Sequence, residues 1–211
     1  MNWVLLKNFS IESQLKAEGL SFDAFDIVEK TFKDSGLRKL RQKVIGRLGS
    51  ELRIKYDKES KDEKDLNSIV NGCYCIGLGG QYKIPYSEDF SSRVIYIGSG
   101  RVYNRIKSHL TAKLFDFAQA MPGIPLQFHI CDLDQPKLDR KDFEQGLLQK
   151  FVEDSGGSKP LLNANDAKSD PLKLTLPSGW DKPLHKDKGV QIAKWLIRPT
   201  NMDEWKGALD P

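Results

Sequence analysis

Cysteine is scarce in this chain: Cys73, Cys75 and Cys131 are the only three in 211 residues. An odd count builds no disulfide framework, and a Cys-x-Cys spacing without a second ligand pair nearby argues against a zinc site. Long apolar runs are also missing. None approaches the ~20 residues that span a bilayer, and the run at Met1–Lys7 is too short for a secretory signal. These absences predict a cytoplasmic protein with no membrane partner. No sign of charge dominates either, since 33 Lys+Arg face 29 Asp+Glu for a formal net charge of +4. Histidine is rare, with three residues, His109, His129 and His185.

Hydrophobic residues make up 39% of the sequence, enough for a packed core, and the length allows one domain with appendages. The weak net charge hides a local bias. Between Leu37 and Lys55 seven basic residues stand against Glu51 alone. Such a stretch serves either as a solvated helix face or as a contact for a polyanion.

Residues 1–70 read as helical. Ser21 is a candidate cap for a helix presenting Phe22, Phe25, Val28 and Phe32. Past Gly36, Leu37, Leu40, Val44, Ile45, Leu48 and Leu52 form one apolar stripe at helical spacing. The stretch from Asp57 to Asp65 holds no apolar residue and predicts a solvated helix end or linker. The texture changes at Gly72. Cys73–Leu78 and Arg93–Ile97 predict two antiparallel strands joined by a long loop, Gly79–Ser92. A helix follows over Arg101–Gln119, with Val102, Ile106, Leu110 and Leu114 every fourth residue. Leu126–Asp132 is a third strand. Asp139 caps a last helix carrying Phe143, Leu147 and Phe151, which Ser155-Gly156-Gly157 ends. The order β-β-α-β-α predicts an α/β or α+β fold: a small, mainly antiparallel three-stranded sheet flanked by helices. The expected organisation is a helical, basic N-terminal extension over 1–70, a central domain over 71–170, and a tail over 171–211 packing on the core.

One ordered set of polar residues stands out. Gly72-Cys73-Tyr74 opens the first strand, Tyr96-Ile97-Gly98 closes the second, Arg105 and His109 follow on the helix, Glu144 lies on the last helix, and Asn163 comes after it. In this order and on these elements the segment resembles the GIY-YIG nuclease family, over about 71–168. It departs from the family at Cys73, where Ile is usual, and in the length of the loop between the strands. Arg105 and His109 are four apart and share a helix face, where an Arg offers a planar fork to phosphate oxygens. Glu144 borders an apolar stripe, a place where a carboxylate suits Mg²⁺.

The resemblance implies a Mg²⁺-dependent endonuclease (Mn²⁺ as substitute) acting on double-stranded DNA. In that reading Glu144 is the metal ligand, Arg105 the phosphate clamp, Tyr74 or His109 the base, Tyr96 orients water or phosphate, and Asn163 braces the site. Arg38, Arg41, Arg47 and Arg101 are the expected DNA contacts, together with the loop Gly79–Ser92. The short flanks favour a prokaryotic restriction or defence enzyme, with a homodimer as a candidate assembly. The alternatives are a structure-specific or non-specific nuclease, from a toxin, a mobile element or repair, and an inactive DNA-binding module.

Overall fold

A computed structural model describes residues 1–25, 35–60, 64–133, 138–164 and 176–184. Its elements are β1 (Val4–Phe9), α1 (Ile11–Ala17), α2 (Ser35–Glu59), β2 (Gly72–Leu78), β3 (Ile84–Pro85), β4 (Ser91–Ser92) and β5 (Val94–Gly100), followed by α3 (Val102–His109), a π turn (Leu110–Leu114), α4 (Phe115–Ala120), β6 (Leu126–Asp132) and α5 (Arg140–Asp154). The fold is α+β, as its element pattern predicts.

The sheet runs β1-β6-β2-β5, antiparallel at every pairing. It therefore has four strands, not three, and the N-terminal segment is not wholly helical. Val4–Phe9 supplies an edge strand on β6, with Val4 opposite Ile130 and Leu6 opposite Phe128. The apolar alternation of this strand is broken by Lys7 and Asn8. There the register shifts, and Asn8 adopts a φ of 61°, which Asn tolerates better than most residues. Central strand β2 is buried along its whole length, which explains its unbroken apolar run.

Helix α2 buries Val44, Ile45, Leu48 and Leu52 of the expected stripe, with Leu37 and Leu40 partly covered, and packs on β1. The cap expected at Ser21 opens only a short 3₁₀ turn, Phe22–Ala24, without a side-chain cap bond. Val28 and Phe32 lie outside the described residues. The helix expected over Arg101–Gln119 is interrupted by the π turn, where the Thr111 hydroxyl donates back to the Lys107 carbonyl at 3.0 Å. The wider turn rephases the chain so that Phe115 meets Phe22 and Phe25 edge-on. Asp139 caps α5 as expected, accepting from the Lys141 and Asp142 amides.

Of the C-terminal tail, 176–184 packs against the N-terminus and α5. Trp3 Nε1 donates to the Trp180 carbonyl at 3.0 Å, and Trp180 meets Phe143 edge-on. Residues 171–175 and 185–211 of the tail, His185 among them, lie outside the described residues. Among the described residues no helix is long and apolar enough to cross a membrane. The three cysteines are free and buried. Cys73 stands opposite Cys131 in neighbouring strands, and burial pushes the Cys131 thiol up to about 12.

Candidate active site

Strand alternation sorts the polar residues of the hairpin onto two faces. Tyr74 and Tyr96 look toward α3, whereas Cys73 and its cross-strand partner Ser99 look toward α5. Tyr74 is paired in register with Gly98, and that glycine has a steric reason. A Cβ there would stand 2.6 Å from the Tyr74 hydroxyl and 2.7 Å from Tyr96 Cε1, so the two rings occupy the space that any side chain would need.

The rings close over His109. Tyr74 and Tyr96 stack with centroids 6.1 Å apart, and the Tyr96 and His109 centroids are 4.3 Å apart. The Tyr74 hydroxyl lies 2.8 Å from His109 Nε2. Burial, then Arg105 and Lys113, push the imidazole pKa down to about 4. The ring is therefore neutral near pH 7, and in its Nδ1–H tautomer Nε2 accepts from the phenol. Burial raises both phenol pKa values. Glu144 adds to the rise at each, and the nearby Arg105 guanidinium opposes it.

Arg105 projects from the exposed side of α3, beside Gly100 at the end of β5. From the other face, Ser99 Oγ donates to Glu144 Oε2 at 2.5 Å. Asn163 sits on the open edge of β5. Its Oδ1 accepts from the Ile97 amide at 2.9 Å and its Nδ2 donates to the Ile97 carbonyl at 2.8 Å. All six residues expected from the sequence thus gather around the last turns of one edge strand. Two further residues join them that motif reading does not single out, Ser99 and Lys113. Each reads as an ordinary surface residue until its partner is known.

Glu144 is partly exposed, and its second oxygen has no hydrogen-bond partner among the described residues. Mg²⁺ takes one or two carboxylates and fills its octahedron with water and phosphate oxygens. A single, braced and accessible carboxylate fits that requirement. No cluster of three His, Cys, Asp or Glu forms a protein-only cage among the described residues.

The expected DNA contacts divide. Arg38 is exposed and has no partner among the described residues, and Arg101 is exposed at the start of α3. Arg41 instead turns inward. Its guanidinium covers the Phe115 ring at 4.4 Å, pairs with Asp116 at 2.8 Å and donates to the Thr111 carbonyl at 2.7 Å. Lys43 and Arg47 share Glu18, and Lys55 pairs with Glu51. These cations line a groove of about 750 Å³ with Tyr103 and Lys107 of α3, but most of their charge is matched internally. The loop Gly79–Ser92 buries Ile84, Tyr86 and Phe90 and exposes Glu88 and Asp89 at its tip. That tip is poorly suited to a polyanion.

Compared with family models, curated proteins and solved structures, the chain shows no match.

Proposed function

We propose that the protein is a Mg²⁺-dependent endonuclease of the GIY-YIG type that hydrolyses phosphodiester bonds in DNA. The observation that carries this reading is the buried Tyr74–His109 hydrogen bond, set between an exposed guanidinium and a braced, accessible carboxylate. Hydrolysis needs a proton acceptor for the attacking water, charge neutralisation at phosphorus and support for the leaving oxygen. Tyr74 takes the proton from water as it passes its own to His109 Nε2. Arg105 meets the phosphate oxygens and the developing phenolate charge. Glu144, oriented by Ser99, would hold Mg²⁺, which when bound supplies Lewis-acid stabilisation to the phosphate and the leaving oxygen.

The low proton affinity of His109 in the free protein opposes this transfer by itself. Burial first, and then Arg105 and Lys113, keep the ring neutral. A phosphate arriving against Arg105 offsets that positive field and makes the imidazole a better acceptor when substrate is present. The proposed base is therefore the Tyr74–His109 pair rather than either residue alone.

Exposed Arg38 and Arg101 are the cations best placed to meet flanking phosphates. Incubation of the full chain with supercoiled and linear plasmid DNA and Mg²⁺, followed by sequencing of the ends, tests the reading. Discrete fragments support a restriction enzyme, and cuts without sequence preference support the non-specific alternative. Absence of cutting with Mg²⁺ or Mn²⁺, alongside retained DNA binding, would leave a binding module.

A further inference from the structure

Lys113 lies in the π turn, one turn beyond His109, on the chain segment that also carries Arg105. π turns inside α-helices are frequent at functional sites. The Lys113 ammonium donates to the Leu162 carbonyl at 2.9 Å and stands 5.2 Å from the centre of the Tyr96 ring. Leu162 and Asn163 are the residues that close the open edge of β5. The Leu162 amide donates to the Ile95 carbonyl at 2.8 Å, and Asn163 grips both backbone groups of Ile97. This short segment therefore satisfies an edge strand as another strand would, and Lys113 ties it to the helix bearing His109.

We propose that Lys113 is a positioning residue of the site, its one ammonium fixing the Leu162–Asn163 segment on β5 and the Tyr96 ring against His109. Its charge has a second consequence. The titratable and charged groups facing His109 are Arg105 and Lys113 from its own helical segment, Tyr74 from β2 and Tyr96 from β5. Glu144, from α5, acts on the two phenols. Removing the ammonium takes away one of the two cations that oppose protonation of the imidazole, and it frees the carbonyl that anchors the edge segment.

Two variants of the full chain test this. Lys113→Met keeps most of the stem and removes the charge, and Lys113→Arg keeps the charge. In Lys113→Met, the His109 titration followed by NMR moves up, because one of the two opposing cations is gone. Amide hydrogen exchange at Ile97 and Leu162 speeds up about tenfold, the scale of one lost charge-assisted hydrogen bond. Lys113→Arg stays near wild type in both. The proposal is overturned if Lys113→Met leaves titration and exchange unchanged, or if Lys113→Arg behaves like the Met variant. If the Met variant does not fold, wild-type exchange in Lys113→Arg supports the proposal and accelerated exchange overturns it. The role of Lys113 in cleavage rests on the nuclease reading, and there Lys113→Met lowers kcat with little change in KM. A wild-type protein that cuts no DNA defeats the nuclease reading, while the titration and exchange still decide the role of Lys113.

Discussion

The Tyr74 hydroxyl and His109 Nε2 share a hydrogen bond of 2.8 Å, in a place where the tyrosine has no exposed surface and the histidine is 7% exposed. Replacing Tyr74 by Phe removes that hydroxyl, which the proposed mechanism uses in the base pair. Cleavage is expected to fall at least ~10²-fold, the low end for losing a general base. DNA affinity changes little, because one buried hydroxyl is lost. The orphaned Nε2 lowers stability by about 1–3 kcal/mol. Single-turnover cleavage and a thermal melt measure the two effects separately. A Tyr74→Phe protein that cuts at nearly the wild-type rate would transfer the base role wholly to His109.

The same pair sets a pH dependence of folding. His109 is held down from 6.5 to about 4 in the folded protein, by burial and then by Arg105 and Lys113. Between those values the unfolded chain takes up a proton that the folded chain refuses, so stability falls as pH drops from 6.5 to about 4. The His109 share of stability is fully present above pH 6.5 and is lost by pH 4. His109→Gln, which keeps a polar group near Tyr74, is expected to flatten this part of the stability curve. Urea melts at half-unit steps of pH check it, and an unchanged slope in the variant would assign the acid sensitivity to other groups.

Ser99 and Glu144 make the next prediction. Glu144→Gln keeps the shape and replaces a carboxylate by a poor Mg²⁺ ligand. Cleavage is expected to drop below a tenth of wild type at saturating Mg²⁺, with fold and DNA binding nearly intact. Ser99→Ala leaves the carboxylate in place but removes the hydroxyl that orients it. Loss of such an outer partner weakens metal binding by roughly 10–100-fold. Calorimetric Mg²⁺ titration in the presence of a non-cleavable duplex reads both. Unaltered affinity in Ser99→Ala would make its hydrogen bond structural only.

The site was legible in the sequence because its residues are few, polar and placed on elements whose periodicity is clear. The family resemblance picks out Tyr74, Tyr96, Arg105, His109, Glu144 and Asn163, and strand, helix and turn signals place each on its element. Ser99 and Lys113 were not legible, because their roles depend on partners 45 and 49 residues away. Strand β1 is hidden by its break at Lys7 and Asn8, and its pairing with β6 joins neighbouring strands that are far apart in sequence. Arg41 was legible and overlooked. It lies four residues after Leu37 and seven before Leu48, so helical spacing sets it in the apolar row. A count of charges along the stretch treats it as surface.

That placement separates Arg41 from Arg38 and gives the last prediction. The Arg41 side chain is 13% exposed and serves Phe115, Asp116 and Thr111 at once. A partly desolvated cation on an aromatic face, with a charge-assisted bond to a carbonyl, contributes about 1–3 kcal/mol. Arg41→Ala is therefore expected to lower stability by that amount, and any loss of DNA binding would follow the loss of fold. Arg38 is exposed and unpaired among the described residues, so Arg38→Ala leaves the melt within about 0.5 kcal/mol of wild type. If Arg38 meets a phosphate, its removal weakens binding alike across sequences and reduces the log–log salt slope by about one unit. Binding isotherms at four salt concentrations, set beside the two melts, distinguish the roles. An unchanged slope in Arg38→Ala would leave that end of α2 as solvated surface and move the search for flanking contacts to Arg101 and Lys107, which lie on the helix that carries Arg105.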